Sequence, residues 1–342
     1  MIAGLLLVLL AAPVGAASED PPVKAESADA GLFRVQRAGK WGFVDREGRV
    51  VISPRFAYAR DFFGGKAAVQ DLGGLWGYIG RDDAFAITPR FTDAGDFGDG
   101  RAVVNGKTTV IREDGSVVGR YEEVLPYSDG LAAYREGNRW GFLDREGKAA
   151  IRARFDAVLP FSSGFARVWS ESQKRWGVIG RLGHLTADYV FSAIGPFDGG
   201  LAGAKVAESG LCGFTDGGSK LKISAVDWCF EDEVPEGYGV FRDGFAAVVQ
   251  DHHLAVFIDK SGRKQIPWLS LWTRGFSEGL AAIQLDDGYW TYMNTSGKPA
   301  MELRFSEAFP FRDGLALVKA HDGWHYLRKD GTYAVRNVFE AK

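Results

Sequence analysis

Beyond its first thirty residues the chain alternates between short apolar runs and polar turns closed by glycine. The run LFRVQ follows Gly31, a second run forms around KWGFV, the polar turn DREG ends on Gly48, and VVI opens a third run that Pro54 ends. Short runs bounded by glycine and proline predict strands, with the DREG turn closing a hairpin on a left-handed residue. The unit so defined is a three-stranded meander followed by a connector.

The unit recurs. KWGFVDREG at Lys40 returns as RWGFLDREG at Arg139, with LWGYIGRDD at Leu75 and RWGVIGRLG at Arg175. Weaker copies begin at Leu211, Ala255, Tyr289 and Gly323, and TTVIREDG at Thr108 has lost both letters of the Trp-Gly pair. A second block keeps step, from FFGGKAAV at Phe62 to FRDGLALV at Phe311: an aromatic, glycine three places on, alanine five places on. Its glycines are Gly31, Gly65, Gly100, Gly130, Gly164, Gly200, Gly244, Gly279 and Gly314. Most gaps are 34 to 36 residues; one shrinks to 30 before Gly130 and one swells to 44 before Gly244. The glycine is expected at positive φ where a strand starts, and the alanine where a neighbouring repeat approaches closely. The connector aromatics Phe56, Phe91, Tyr121, Phe155, Phe191, Phe230 and Phe305 are expected to be buried. A single unit cannot cover its own apolar face, whereas stacked neighbours can.

These motifs resemble the WG-repeat family of bacterial proteins, over Gly31 to about Phe339. The resemblance implies a tandem all-β repeat protein, often exported, in a family whose members mostly lack an assigned activity. The fold expected is all-β: about nine meanders of ~35 residues over 31–342, stacked as an open solenoid or superhelical array. The alternative is a closed β-propeller-like ring, which favours equal, larger blades.

Composition agrees with this. The 45 glycines and 13% aromatic residues suit turns and strands rather than helices. A formal charge of -3 with no basic block argues against nucleic acid or an anionic membrane as partner. Residues 1–17 read as a signal peptide, with the apolar run Ile2 to Ala12 followed by small residues, and 18–30 as a flexible spacer. The expected location is therefore periplasmic or secreted, with no membrane span after leader cleavage; the alternative is a leader retained as an anchor.

Candidate chemistry is sparse. The column tryptophans Trp41, Trp76, Trp140, Trp176, Trp290 and Trp324 are expected in the core. Trp169, Trp228, Trp268 and Trp272 lie off that column and are candidates for a surface. Arg55, Arg90, Arg120, Arg154 and Arg304 all precede a connector aromatic. They form either a cationic track for an acidic partner or, as expected of like charges in a row, bridges to neighbouring repeats. The five histidines lack metal-ligand spacing and are expected in solvated loops. No nucleophile elbow or phosphate loop is present, so no enzyme, metal or cofactor is expected. Cys212 and Cys229, an even pair in an exported chain, are expected to form a disulfide. The function expected is an exported, non-catalytic binding or scaffolding module for a protein or envelope partner. The alternative is cell-wall or extracellular glycan binding through exposed aromatics.

Overall fold

The computed structural model describes residues 31–224, 229, 234, 237–250, 254–270 and 272–339, with backbone only for 267–270. The leader, the spacer, Trp228, Phe230 and the side chain of Trp268 lie outside the described residues. Every element among the described residues is a strand, and all named strand pairs are antiparallel. In repeat 4, Ala132–Glu136, Arg139–Leu143 and Ala149–Phe155 form the meander, and the short lead strand Glu123–Val124 pairs with the first of them. The connector expected from sequence is thus itself a strand in several repeats, as at Tyr58–Phe63, Ala157–Val158 and Glu307–Ala308.

Two kinds of glycine build the unit. All nine column glycines have positive φ, from +75° at Gly100 to +95° at Gly31. From Gly65 on, the residue before the glycine is left-handed too, as at Asp99 (φ 53°), Asp129 (55°) and Asp313 (52°). Two successive left-handed residues make a type I′ turn, whose twist matches that of a two-residue hairpin. The glycine of the Trp-Gly pair has a different role. A Cβ on Gly42, Gly77 or Gly141 would stand 2.4, 2.5 or 2.4 Å from the carbonyl oxygen of Ile52, Ile87 or Ile151. The last strand bulges at this point, with its register shifting between Trp140 and Phe142, and so presses its backbone onto the glycine. The aspartate of DREG fixes the other turn: Asp45 Oδ1 accepts from the N–H groups of Glu47 (3.0 Å) and Arg49 (2.8 Å), and Asp144 repeats this with Glu146 and Lys148.

The core lies between repeats. Ala67, Ala102, Ala132, Ala166, Ala202, Ala246, Ala281 and Ala316 are all buried, as are the connector aromatics Phe56, Phe91, Phe155, Phe191 and Phe305; Tyr121 is half-buried. Phe43 and Ile52 of repeat 1 pack with Phe62 and Ile79 of repeat 2, and the same cluster recurs from repeat to repeat.

The array of stacked meanders has ends that meet. Phe33, Val35 and Val44 pack into one cluster with Phe309, Leu315, Leu317, Tyr326 and Val338. The Gln36 amide donates to Val338 O (2.8 Å), and the Tyr326 hydroxyl donates to Arg34 O (3.1 Å). Neighbour-only contacts would leave these edges apart, so the contacts correspond to the closed alternative. The segment Val335 to Phe339 lies beside the first meander, where the other repeats place a lead strand.

Candidate functional site

The turns at one end of the meanders carry a recurring set of ordered charges. Each Asp-Gly turn reaches the following repeat: Asp99, Asp129 and Asp243 accept from the backbone N–H of Gly130, Gly164 and Gly279, each at 2.7 Å. The basic residue of the next DREG-type turn adds to the clasp. Arg145 meets Asp99 (2.7 Å), Arg181 donates to Asp129 O (2.5 Å), and Lys329 meets Glu278 (3.0 Å). Arg46 of repeat 1 meets Asp313 of repeat 9 at 3.5 Å, which carries the series across the junction of the ends. The doubled DREG therefore has two functions, one residue capping its own turn and the next clasping the preceding repeat. These partners are substantially exposed, so each clasp is worth about 1 kcal/mol or less.

A buried ionic group stands out from this pattern. Arg34 and Asp61 are each 7% exposed. Arg34 Nε donates to Asp61 Oδ1 (2.7 Å), its Nη1 donates to Ala59 O (3.0 Å), and Arg312 reaches Asp61 Oδ2 at 3.3 Å. Repeats 1, 2 and 9 thus share one carboxylate. Burial pushes the Asp61 carboxyl up, but Arg34 and Arg312 more than offset this and leave it below its ordinary range. Burial likewise pulls the Arg34 guanidinium down, and Asp61 with the nearby tyrosines outweighs it. Asp96, one repeat on, is raised because burial dominates and Arg60 compensates only in part; its Oδ1 has no hydrogen-bond partner in the protein. Columns explain why this group is singular. Arg34 stands where Ala68, Ala133, Ala247 and Ala282 stand, and Asp61 where Pro126, Pro160, Pro196 and Pro310 stand; these columns also hold Arg167 and Asp96, but only Arg34 and Asp61 face each other between neighbouring repeats.

The sequence-derived candidates fall in several places. Arg90 and Arg154 donate to Gly115 O (2.7 Å) and Gly183 O (2.6 Å) of the next repeat, and Arg55 does the same to Asp83 O (3.1 Å). Each also lies over its connector ring, at 5.2, 5.0 and 4.6 Å. Arg304 pairs with Asp287, and Arg120 is exposed; beside it the Tyr121 hydroxyl donates to Gly147 O (2.9 Å), the bond its neighbours make with arginine. Of the column tryptophans, Trp140 and Trp290 are buried, whereas Trp41, Trp76, Trp176 and Trp324 are half-buried. Trp41 packs on Tyr58 at 5.3 Å and Tyr58 on Trp76 at 5.7 Å, so aromatic contacts run between repeats. Off the column, Trp169 is half-buried against Trp176 (5.2 Å), and Trp272 is 54% exposed beside Tyr238.

Cys212 and Cys229 are joined as a disulfide, Cα–Cα 5.1 Å, linking repeat 6 to repeat 7 at the column positions where Trp41 and Tyr58 touch. His325 departs from the expectation of a solvated loop: it is fully buried. Its Nε2 meets Asp322 Oδ1 (2.7 Å), and its Nδ1 accepts from the Asn337 N–H (3.1 Å). It occupies the place of the Trp-Gly glycine, as do Thr109 and Thr291, which are also buried. Thr291 shows how a side chain fits there: its hydroxyl donates to Leu303 O (2.9 Å). Among the described residues, no group of three or more His, Cys, Asp or Glu is placed to hold a metal ion, and no helix is long and apolar enough to cross a membrane.

Stacked antiparallel meanders, clasped turn to turn, define a tandem β-repeat protein. The chain belongs to the WG containing repeat family, whose model matches residues 41–76, 76–105, 119–140, 140–168, 176–208 and 290–324. No curated protein sequence matches it. Solved structures to which it is similar include BamB from Moraxella catarrhalis, at 12% identity and TM-score 0.43, covering 70% of this chain and 86% of that one. Sqt1 from Saccharomyces cerevisiae is similar at 8% identity and TM-score 0.40, covering 78% and 91%. Apo AztD from Citrobacter koseri is similar at 11% identity and TM-score 0.40, covering 89% and 93%.

Proposed function

We propose that this chain is an exported, non-catalytic binding or scaffolding protein that presents its repeat surface to a protein partner of the cell envelope. One observation carries the choice of a protein partner. The last strands of repeats 1, 2, 3 and 5 begin with an exposed apolar residue at one column position: Val50 (58%), Phe85 (42%), Val117 (44%) and Leu185 (42%). Apolar residues exposed in register from repeat to repeat are the kind of surface partners cover, whereas scattered ones would need no explanation. Export is supported by the Cys212–Cys229 bond, since structural disulfides belong to oxidising compartments. A non-catalytic role is supported by the ionic group at the junction of the ends, where Arg34 and Arg312 hold Asp61.

The glycan alternative retains Trp272, exposed at an off-column position. The test is affinity capture from envelope extract with the parent and a Phe85→Glu/Leu185→Glu variant. The proposal expects a protein retained by the parent and lost with the variant. Retention of isolated envelope glycan with no protein captured, or capture indifferent to the variant, would overturn it.

A further inference from the structure

Arg34 has an internal counterpart whose partner is missing. Arg167 occupies the same column in repeat 5, and its Nη1 donates to Ile194 O (3.1 Å) as Arg34 donates to Ala59 O. Ala59 and Ile194 are themselves column equivalents. The resemblance stops at the carboxylate. Where Asp61 meets Arg34, repeat 6 has Pro196, which is exposed, and no protein acceptor is within hydrogen-bond reach of the solvent-excluded Arg167 Nε. Burial, with no carboxylate beside it, pushes the half-buried Arg167 guanidinium down to about 10.

The neighbouring positions change in the same sense. Tyr58, which covers Trp41 between repeats 1 and 2, is replaced by Ala193 between repeats 5 and 6. Trp169 stands where Gln36, Gln70 and Gln284 stand, on the same face of its strand as Arg167, and its ring lies against Trp176. Repeat 5 therefore places a cation with an unused donor on the strand face that carries Trp169, opposite Ala193, while the Trp169 indole N–H donates to Glu171 (3.0 Å).

We propose that the contact between repeats 5 and 6 at Arg167 is a carboxylate-binding site, in which Arg167 receives the acid and Trp169 with Trp176 carries its apolar body. The ligand is an aromatic or aliphatic carboxylate, free or as the C-terminal residue of a peptide. A guanidinium makes charge-assisted bonds to such a group, and indole faces bury its hydrocarbon. The Arg34–Asp61 pair shows within the same chain what an acid at this position does.

The site is tested by intrinsic fluorescence and thermal unfolding of the intact protein with benzoate, and with its neutral isostere benzamide at matched ionic strength. Benzoate is expected to bind saturably and raise Tm, and benzamide to do neither. Arg167→Met is expected to weaken benzoate by roughly tenfold or more, the loss of a charged hydrogen bond. Pro196→Asp supplies the acid internally, as Asp61 does, so it should raise Tm without ligand and abolish the benzoate response. Glycyl-phenylalanine against its C-terminal amide separates a peptide source from a free acid. Equal benzoate binding by the parent and Arg167→Met, equal binding of benzamide, or no saturable response would overturn the site. None of these measurements needs the partner protein, so their failure and that of the envelope-binding reading are distinguishable.

Discussion

Removing the Asp61 carboxylate strands two arginines. In Asp61→Ala, Arg34 remains buried with only the Ala59 carbonyl as acceptor in place of a 2.7 Å ion pair, and Arg312 loses its 3.3 Å partner. Breaking a buried pair from one side typically costs about 3–5 kcal/mol, because the remaining charge is left uncompensated. Arg34→Met should cost less, about 2 kcal/mol, since the methylene stem is replaced and Arg312 still neutralises Asp61. With Arg34 gone, the further loss of Asp61 strands only the less buried Arg312. The double variant should therefore be at least about 2 kcal/mol more stable than the sum of the single losses predicts. Urea unfolding of the four proteins at pH 7 gives this coupling directly. A second cycle on Arg312 and Asp61 probes the junction of the ends, because these residues are 251 apart in sequence. Strictly additive losses in both cycles would refute the shared carboxylate.

The other expectations concern glycines, the disulfide and Asp96. Gly244→Val should cost at least about 1 kcal/mol in denaturant melts through φ +88° alone, because no atom lies within 4 Å of the added Cβ. Gly141→Ala should cost about 2 kcal/mol although its backbone is not left-handed, because its Cβ meets Ile151 O at 2.4 Å. Reducing Cys212–Cys229, which are 17 residues apart, should lower stability by about 3 kcal/mol, read as a shift in the urea midpoint with and without dithiothreitol. The raised carboxyl of Asp96 favours the protonated folded state, so its contribution is complete below the ordinary value near ~4 and is lost as pH rises through the raised value. Asp96→Asn should therefore raise Tm at neutral pH and change little at about pH 3; equal effects at both would contradict this.

Much of the fold was legible because repetition multiplies weak local signals. One glycine before a strand says little, but nine in step specify the hairpin turns, and all nine have positive φ. The buried alanines were legible for the same reason. The ionic group was not, because Arg34 and Asp61 are each ordinary residues and only their exception to a column marks them. Comparing Arg34 with Ala68 and Ala133, and Asp61 with Pro126 and Pro160, would have found both. Meeting of the ends has a trace in VRNVF at Val335, which aligns with FDAVL at Phe155, but with one phenylalanine replaced by valine the match is faint. His325 is marked as buried by the glycine column it occupies, a signal that spacing between histidines does not carry.

The central structural claim is that the first and last repeats meet, and the Gln36 amide tests it most directly. Its N–H bonds Val338 O at 2.8 Å, while in mid-array the Leu125 N–H bonds Ala133 O at the same distance. Joined ends predict hydrogen-exchange protection of Gln36 within roughly tenfold of Leu125 under native conditions. An array whose ends stand apart would leave the Gln36 amide on an open sheet edge, exchanging at nearly the rate of an unstructured peptide, and that result would contradict the account.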